Sequence, residues 1–415
     1  MTEINLFETV KGHICQCAYD LRLAPDVEAI LKTPMREFNF SIPVRMDTGR
    51  IRTFQAFRVQ YNDARGPTKG GIRFHPDETI DTIRGLAALM AWKCALFSLP
   101  LGGAKGGIVC NPKVLSEGEL ERLSRGYIMG VSRIIGPHTD IPAPDVYTGP
   151  KVMAWMMDEY SRIVGRTTFG VITGKPLSVG GSEGRDDATA RGGWYVVAEA
   201  AEDAGIDLRG ATVAVQGFGN VGTHAAVLGQ YLAGVRVVAV SDSKGGVLNR
   251  NGLEVRRLEE HKERTGSVRD FPGAENITNE ELLALDVDIL IPAALENTIT
   301  AENAPQVRAK IVAEFANGPV TTDAEAVLKE KGIVIVPDIL CNAGGAVVSY
   351  YEMVQNLSMD HWNAAEVDRR LKTMMTSTYH AVHETAQKKN FTLRQAAYTI
   401  AVRNVVEAMV ARGWV

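Results

Sequence analysis

Gly217-Phe218-Gly219-Asn220-Val221-Gly222 constrains the fold of this chain more than any other segment. It follows directly on the apolar run TVAVQ (212–216) and opens a segment of helical composition. A bare G-x-G-x-x-G says little, but a strand before it and a helix after it make the dinucleotide-binding arrangement specific. The first glycine permits the tight turn, the second lets a pyrophosphate approach the backbone, and the third lets helix and strand pack closely. The helix N-terminus then offers free N–H groups and partial positive charge to the phosphates. The next strand, VRVVAV (235–240), leads to Asp242, 20 residues beyond Gly222. A carboxylate there suits a ribose 2′-hydroxyl and favours NAD, whereas Lys244, two residues on, suits the 2′-phosphate of NADP.

DILIPAA (288–294), KIVAEFA (310–316) and IVIVPDIL (333–340) continue the rhythm of short β-branched runs separated by helical or loop segments. That pattern predicts a parallel, doubly wound α/β sheet. The last 70 or so residues carry helical periodicity. With 415 residues and about 150 per domain, a second domain is expected in the N-terminal half. There, residues 7–31 read as one helix. Residues 38–46 and 51–61 alternate like strands around an Asp47-Thr48-Gly49 turn, 79–97 and 117–135 read as helices, and 136–149 as a Pro/Gly loop.

Charge narrows the partners. Lys plus Arg number 45 and Asp plus Glu 49, a net charge of −4, which gives neither a nucleic-acid footprint nor a polybasic membrane patch. The most apolar stretch, 85–101, is broken by Lys93 and ends near Pro100, too short for a span of about 20 residues. The opening MTEINLFETVKGH has no basic segment leading into an apolar one, so no secretory leader is expected. The five cysteines are odd in number and widely spread. They are expected to be reduced thiols, with no metal site and a cytoplasmic location.

The chemistry concentrates in three lysines within 37 residues. Lys93 sits in LAALMAWKCALF, where a buried ammonium is costly unless partnered. Lys105 lies among four glycines in LGGAKGG, and Lys69 among three in GPTKGG; such backbone admits close approach of a ligand. Together they predict a pocket for a small dianion, with a lysine suited to general-base work. Asp145, in the stiff loop IPAPDVYTG, is a candidate proton shuttle beside it.

Taken in order, GPTKGGIRFHP (66–76), PLGGAKGG (100–107), PAPDVYTG (142–149), GKPLSVGGSEGRDDATARG (174–192), VQGFGNVG (215–222) and NAGGAVVSYYEMVQN (342–356) resemble the successive motifs of the glutamate dehydrogenases. These belong to the wider family acting on Glu, Leu, Phe and Val. The resemblance implies reversible oxidative deamination of L-glutamate to 2-oxoglutarate and ammonium, with hydride passing to NAD or NADP. It implies two α/β domains around a cleft. Residues 1–185 with a returning C-terminal helix (388–415) would bind substrate and form the oligomer, and the Rossmann-like 186–387 would bind the dinucleotide. It implies a homohexamer. Lys93 would bind the α-carboxylate, Lys105 would activate water, Asp145 would shuttle protons, and Lys69 with Ser349 would hold the γ-carboxylate, with Ala143 and Ala346 lining the pocket. Arg185, Thr189, Asp242, Ser243, Ala293, Asn317 and Asn342 would join the glycine turn on the cofactor side. Glu183, Ala190 and Ala346 depart from the family's usual residues. A leucine, valine or phenylalanine dehydrogenase is the rival within the family, and a non-catalytic regulatory subunit the rival outside enzymes. Lys69 and Ser349 weigh against the first, Lys105 and Asp145 against the second.

Overall fold

The alternating residues of the N-terminal half form a hairpin in which β1 (Arg36–Arg45) runs antiparallel to β2 (Ile51–Asn62), with Gly49 in the turn at φ +81°. In this computed structural model, which describes residues 5–415, the chain divides into two units. The first comprises residues 1–185, 346–368 and 398–415, and the second residues 186–345 and 369–397.

The first unit is built on a five-stranded sheet of order β1-β2-β4-β3-β5, adding β3 (Thr68–His75), β4 (Gly102–Val109) and β5 (Asp140–Pro144). β4 is antiparallel to β2 and parallel to β3, and β5 is parallel to β3. Three readings change here. The glycine-rich runs are strands rather than cradling turns. The Pro/Gly loop contains β5, which lies at the sheet edge, where prolines cost no ladder bond. The expected helix 7–31 is two helices, Leu6–Leu21 and Pro25–Leu31, because Pro25 starts the second.

The glycines of β3 and β4 are there for packing. A Cβ on Gly70 would overlap the Ala104 carbonyl, one on Gly103 the backbone of Ala91, and one on Gly106 the Tyr127 hydroxyl. None of these three has a positive φ. They let the strands lie directly against each other and against the apolar helix Ile80–Leu96, which is buried on nearly every side. Met153, Met156, Leu123 and Ile128 fill the other face of the sheet with Ile72 and Phe74.

The second unit has a seven-stranded sheet of order β12-β11-β10-β6-β7-β8-β9. Its strands are β6 (Thr212–Gln216), β7 (Arg236–Asp242), β8 (Gly245–Leu248), β9 (Glu275–Ile277), β10 (Ile289–Pro292), β11 (Ile311–Ala313) and β12 (Val334–Val336). The five from β12 to β7 are parallel and buried, as near-continuous apolar runs require. β8 and β9 add an antiparallel edge absent from the sequence expectation; Gly245–Leu248 and Glu275–Ile277 are too short to show a period.

The division differs from the expected boundaries. Residues 346–368 join the first unit, because Glu352 on the helix Gly344–Ser358 is buried against Lys175. Residues 388–397 stay with the second. From Tyr398 onward the helix Leu393–Ala411 does return to the first unit, where Asn404 Nδ2 donates to the Ala95 carbonyl at 2.9 Å. Among the described residues, no helix is long and apolar enough to cross a membrane, and no cluster of His, Cys, Asp or Glu could hold a metal ion. The five cysteines are unbridged and four are buried.

Candidate active site

In the first unit, strands and helix ends bring the predicted lysines to buried positions. Lys69 on β3 is 1% exposed, and its Nζ donates to Thr173 Oγ1 at 2.6 Å. Burial pushes its ammonium down to about 7; Glu352 opposes this, and Arg185 and Lys175 add to it. Among the described residues, no carboxylate is an ion-pair partner of Lys69. Lys93 is buried in the last turn of Ile80–Leu96, where a cation suits the helix dipole.

Lys105 on β4 is 5% exposed and is ion-paired, Nζ to Asp145 Oδ1, at 2.9 Å. Asp145 follows β5, on a turn tied by its N–H to Thr148 Oγ1 at 2.7 Å. Its Oδ2 lies 3.3 Å from Arg73 Nε. Burial raises its carboxyl, but Lys105 and Arg73 outweigh that and hold it below the usual carboxylate range. A Cβ on Gly71 would lie 2.8 Å from the Asp145 Cβ, so this glycine makes room for the aspartate. Ala143 on β5 is buried and pairs with Gly71, and Ala346 is half-buried at the start of Gly344–Ser358.

Ser349 is 2% exposed, and Arg185 Nε donates to its Oγ at 3.1 Å. Arg185, expected on the cofactor side, therefore stands with the residues assigned to the γ-carboxylate. Sequence reasoning gave no role to Lys175 or Glu352. Lys175 Nζ donates to Glu352 Oε1 at 2.6 Å, to the Ile172 carbonyl at 2.7 Å and to Asn356 Oδ1 at 2.9 Å. Both charged side chains are inaccessible to solvent. Glu352 Oε2 also accepts from the Gly174 N–H at 2.8 Å. Both residues sat inside motifs already singled out, but nothing local in the sequence pairs positions 177 apart. Glu183 accepts from the Ala364 N–H at 2.9 Å, capping the helix Ala364–Lys389, which accounts for an acid at that position.

In the second unit the glycine turn has the geometry a dinucleotide needs. Gly217 has φ +92°, Gly219 has open space where a side chain would be, and a Cβ on Gly222 would overlap the Gly217 carbonyl. The helix Asn220–Leu228 presents its unsatisfied first N–H groups at that opening. These residues fit a pyrophosphate. Asp242 is turned inward: its carboxylate accepts from the Lys244 and Val268 N–H groups, each at 2.8 Å, and from Ser267 Oγ at 3.3 Å. Its first duty is to order this loop, and Ser243 and Lys244 are the exposed groups there. Lys262, unnoticed in the sequence, donates to the Phe218 carbonyl at 2.6 Å and lies 3.9 Å from Asp242 Oδ2.

Ala293, after β10, donates its N–H to the Gln216 carbonyl at 2.8 Å. Asn342 Nδ2 donates to the Ala316 carbonyl at 3.0 Å and to Asn317 Oδ1 at 3.1 Å, which brings these two predicted residues together. Thr189 is in the first turn of Ala188–Asp203, half-buried. A Cβ on Gly344 would overlap the Ala188 carbonyl, so the NAGG turn packs directly on that helix.

Comparison with known proteins agrees across the chain. Residues 34–162 match the Glu/Leu/Phe/Val dehydrogenase dimerisation domain, and residues 180–413 match the glutamate/leucine/phenylalanine/valine dehydrogenase domain. The chain is 49% identical to a glutamate dehydrogenase of Thermotoga maritima, covering 100% of this chain and 99% of that one. It is also 49% identical to a cryptic catabolic NAD-specific glutamate dehydrogenase of Bacillus subtilis, covering 100% and 97%. Its structure is similar to a hetero-hexameric glutamate dehydrogenase of Thermus thermophilus in a leucine-bound form, with TM-score 0.94, 41% identity, and coverage of 100% and 98%.

Proposed function

We propose the function from one premise: this chain belongs to the glutamate/leucine/phenylalanine/valine dehydrogenase family. Within it, the chain catalyses the reversible oxidative deamination of L-glutamate to 2-oxoglutarate and ammonium, with NAD or NADP as hydride acceptor. The Thermotoga and Bacillus relatives are both named glutamate dehydrogenases, and the Bacillus enzyme is NAD-specific.

One observation carries glutamate over the apolar amino acids. Lys69 is buried with a hydroxyl, not a carboxylate, as its partner. A buried cation with no carboxylate bonded to it costs several kcal/mol as an order of magnitude, which a γ-carboxylate between Lys69, Ser349 and Arg185 would offset. An apolar side chain would leave that cost in place.

Lys93 binds the α-carboxylate in this reading, and Ala143 and Ala346 border the substrate stem. The dinucleotide, when bound, accepts the hydride from the substrate Cα. Lys105 and Asp145 handle protons. Their 2.9 Å hydrogen bond lets Lys105 pass a proton to Asp145 Oδ1 and then take one from the attacking water. Asp145, one-quarter exposed, delivers the proton to the departing nitrogen. The Gly217–Gly222 turn holds the pyrophosphate, Asp242 and Ser243 the ribose, and Thr189, Ala293, Asn317 and Asn342 the nicotinamide end. The first unit is the substrate-binding and oligomerisation unit, the second the dinucleotide unit. The assembly is a homohexamer in the cytoplasm.

The test is absorbance at the reduced-nicotinamide band. Purified protein is mixed with 2-oxoglutarate and ammonium, with NADH and NADPH in separate cuvettes. Ammonium-dependent loss in either establishes the activity and ranks the cofactors. No loss in both, from folded protein, overturns it.

A further inference from the structure

Arg394 opens the helix Leu393–Ala411 and is 4% exposed, with three carboxylates around it. Its Nη2 donates to Glu314 Oε1 at 2.6 Å, its Nε to Glu325 Oε2 at 2.5 Å, and its Nη1 to Asp338 Oδ1 at 3.4 Å. Glu314 follows β11 and Asp338 follows β12. They stand at the carboxyl ends of adjacent parallel strands, where sheets of this kind bind their ligands.

The oxygens left over bind the backbone. The Asp338 N–H donates to Glu314 Oε2 at 2.7 Å, and the Gly318 N–H donates to Asp338 Oδ2 at 2.9 Å. The two carboxylates thus stitch the loop after β11 to the turn after β12. Asn317 lies in the first and Asn342 at the end of the second, and they meet at 3.1 Å. Burial, with Asp338 beside it, pushes Glu314 up to about 7 against the pull of Arg394. Without the guanidinium, two buried carboxylates would face each other across the joint.

We infer that Arg394 is a positioning residue for the nicotinamide end of the cofactor: it grips Glu314 and Asp338, which fix the two loops that carry Asn317 and Asn342. The inference rests on the dinucleotide reading above. A buried ion cluster is a poor source of stability, since well-packed apolar groups of similar volume do as well or better. Its guanidinium bonds to three separate carboxylates, with the backbone bonds those carboxylates accept, specify geometry. The glycine turn and Asp242 bond to neither loop through this cluster, so the adenine half of the cofactor is independent of it.

The experiment compares NADH with ADP-ribose, which keeps the adenine half and lacks nicotinamide. Dissociation constants are measured calorimetrically on the full-length protein and on Arg394→Met, Arg394→Lys and Glu325→Gln. Arg394→Met is expected to weaken NADH at least about tenfold and to lower kcat about 10- to 100-fold, the cost of a misplacement near 1 Å. ADP-ribose should stay within about twofold, as for a distant site with no shared partner. Arg394→Lys should recover part of the NADH affinity. Glu325→Gln, outside both loops, takes the charge from one partner of Arg394 and should weaken NADH about threefold, the low end of what a single hydrogen bond contributes; it serves where Arg394→Met does not fold. Equal loss of NADH and ADP-ribose, or a lower melting temperature with both constants unchanged, overturns the inference and leaves the dinucleotide reading standing. Wild-type protein that binds neither ligand overturns that reading, and the inference with it.

Discussion

Lys105 Nζ and Asp145 Oδ1 are 2.9 Å apart, and Arg73 backs the same carboxylate from the other side at 3.3 Å. The two cations hold the Asp145 carboxyl below the usual carboxylate range, and the hydrogen bond to Lys105 is the path for a proton between the two side chains. Asp145→Asn breaks that exchange. It should lower kcat about 10²- to 10⁴-fold, the usual worth of a positioned acid–base group, with NADH affinity unchanged. Lys105→Ala should abolish turnover. Steady-state assays with parallel NADH titrations check both, and a variant that keeps most of its activity removes the residue from the mechanism.

Lys69, held at about 7 by burial, makes substrate affinity depend on pH. A γ-carboxylate favours the charged lysine, so binding takes up a proton when the lysine is neutral. Affinity for 2-oxoglutarate should be flat below pH 7 and fall about tenfold per unit above it, until the bound-state value is passed. The stability of the free protein runs the opposite way. The unfolded lysine titrates near 10.5, so the unfolded chain binds the extra proton between 7 and 10.5 and stability rises with pH across that window. Binding constants from pH 6 to 9, on wild type and Lys69→Met, read the first effect; the variant should lose the slope.

Lys69→Leu combined with Ser349→Val replaces the charged end of the pocket by an apolar one. Glutamate turnover should fall by several orders of magnitude, and turnover of leucine or valine should become measurable. A panel of amino acids at fixed cofactor decides it. Glutamate activity surviving the pair would move the γ-carboxylate elsewhere.

Lys175→Met leaves the Glu352 carboxylate buried without its cation. Breaking such a pair costs about 3–5 kcal/mol, and Lys175→Met with Glu352→Gln should recover part of that loss. Urea denaturation of the single and double variants measures the coupling. Equal losses would mean that the two residues stabilise the unit independently.

Gly70→Ala adds one methyl where β3 meets β4 at the Ala104 carbonyl. Overpacking typically costs about 1–3 kcal/mol, and more where backbone must move, so this variant should unfold at clearly lower denaturant than Gly219→Ala, whose position is open. The same pair separates structure from binding, because Gly219→Ala should weaken the dinucleotide instead.

What could be read from the sequence follows from how local each signal was. The strand–turn–helix around Gly217 is a single contiguous segment, in which Gly217 takes a positive φ and Gly222 packs against the Gly217 carbonyl. The buried parallel strands β6, β7, β10 and β11 announced themselves as β-branched runs. The lysines stood out because charge in an apolar or glycine-rich setting is improbable. The readings that changed depended on distant partners. Prolines disguised β5, since only its place at the sheet edge makes them tolerable. The glycines around Lys69 and Lys105 read as room for a ligand, whereas Ala104, Ala91 and Tyr127 occupy that room. Lys175 and Arg394 found their carboxylates 177 and up to 80 residues away, and Arg185 found Ser349 at a separation of 164. No periodicity records such pairings.

Glu352 reaches Lys175 across 177 residues, and Asn404 reaches Ala95 across 309. The unit that is synthesised first is thus the one completed last. At about 5–20 residues per second, Lys175 is synthesised roughly 9–35 s before its carboxylate exists. During that interval burying Lys175 would cost several kcal/mol for want of its partner, so its place in the first unit can close only after Glu352 is made. Chains cut short before Glu352 would lack that partner altogether.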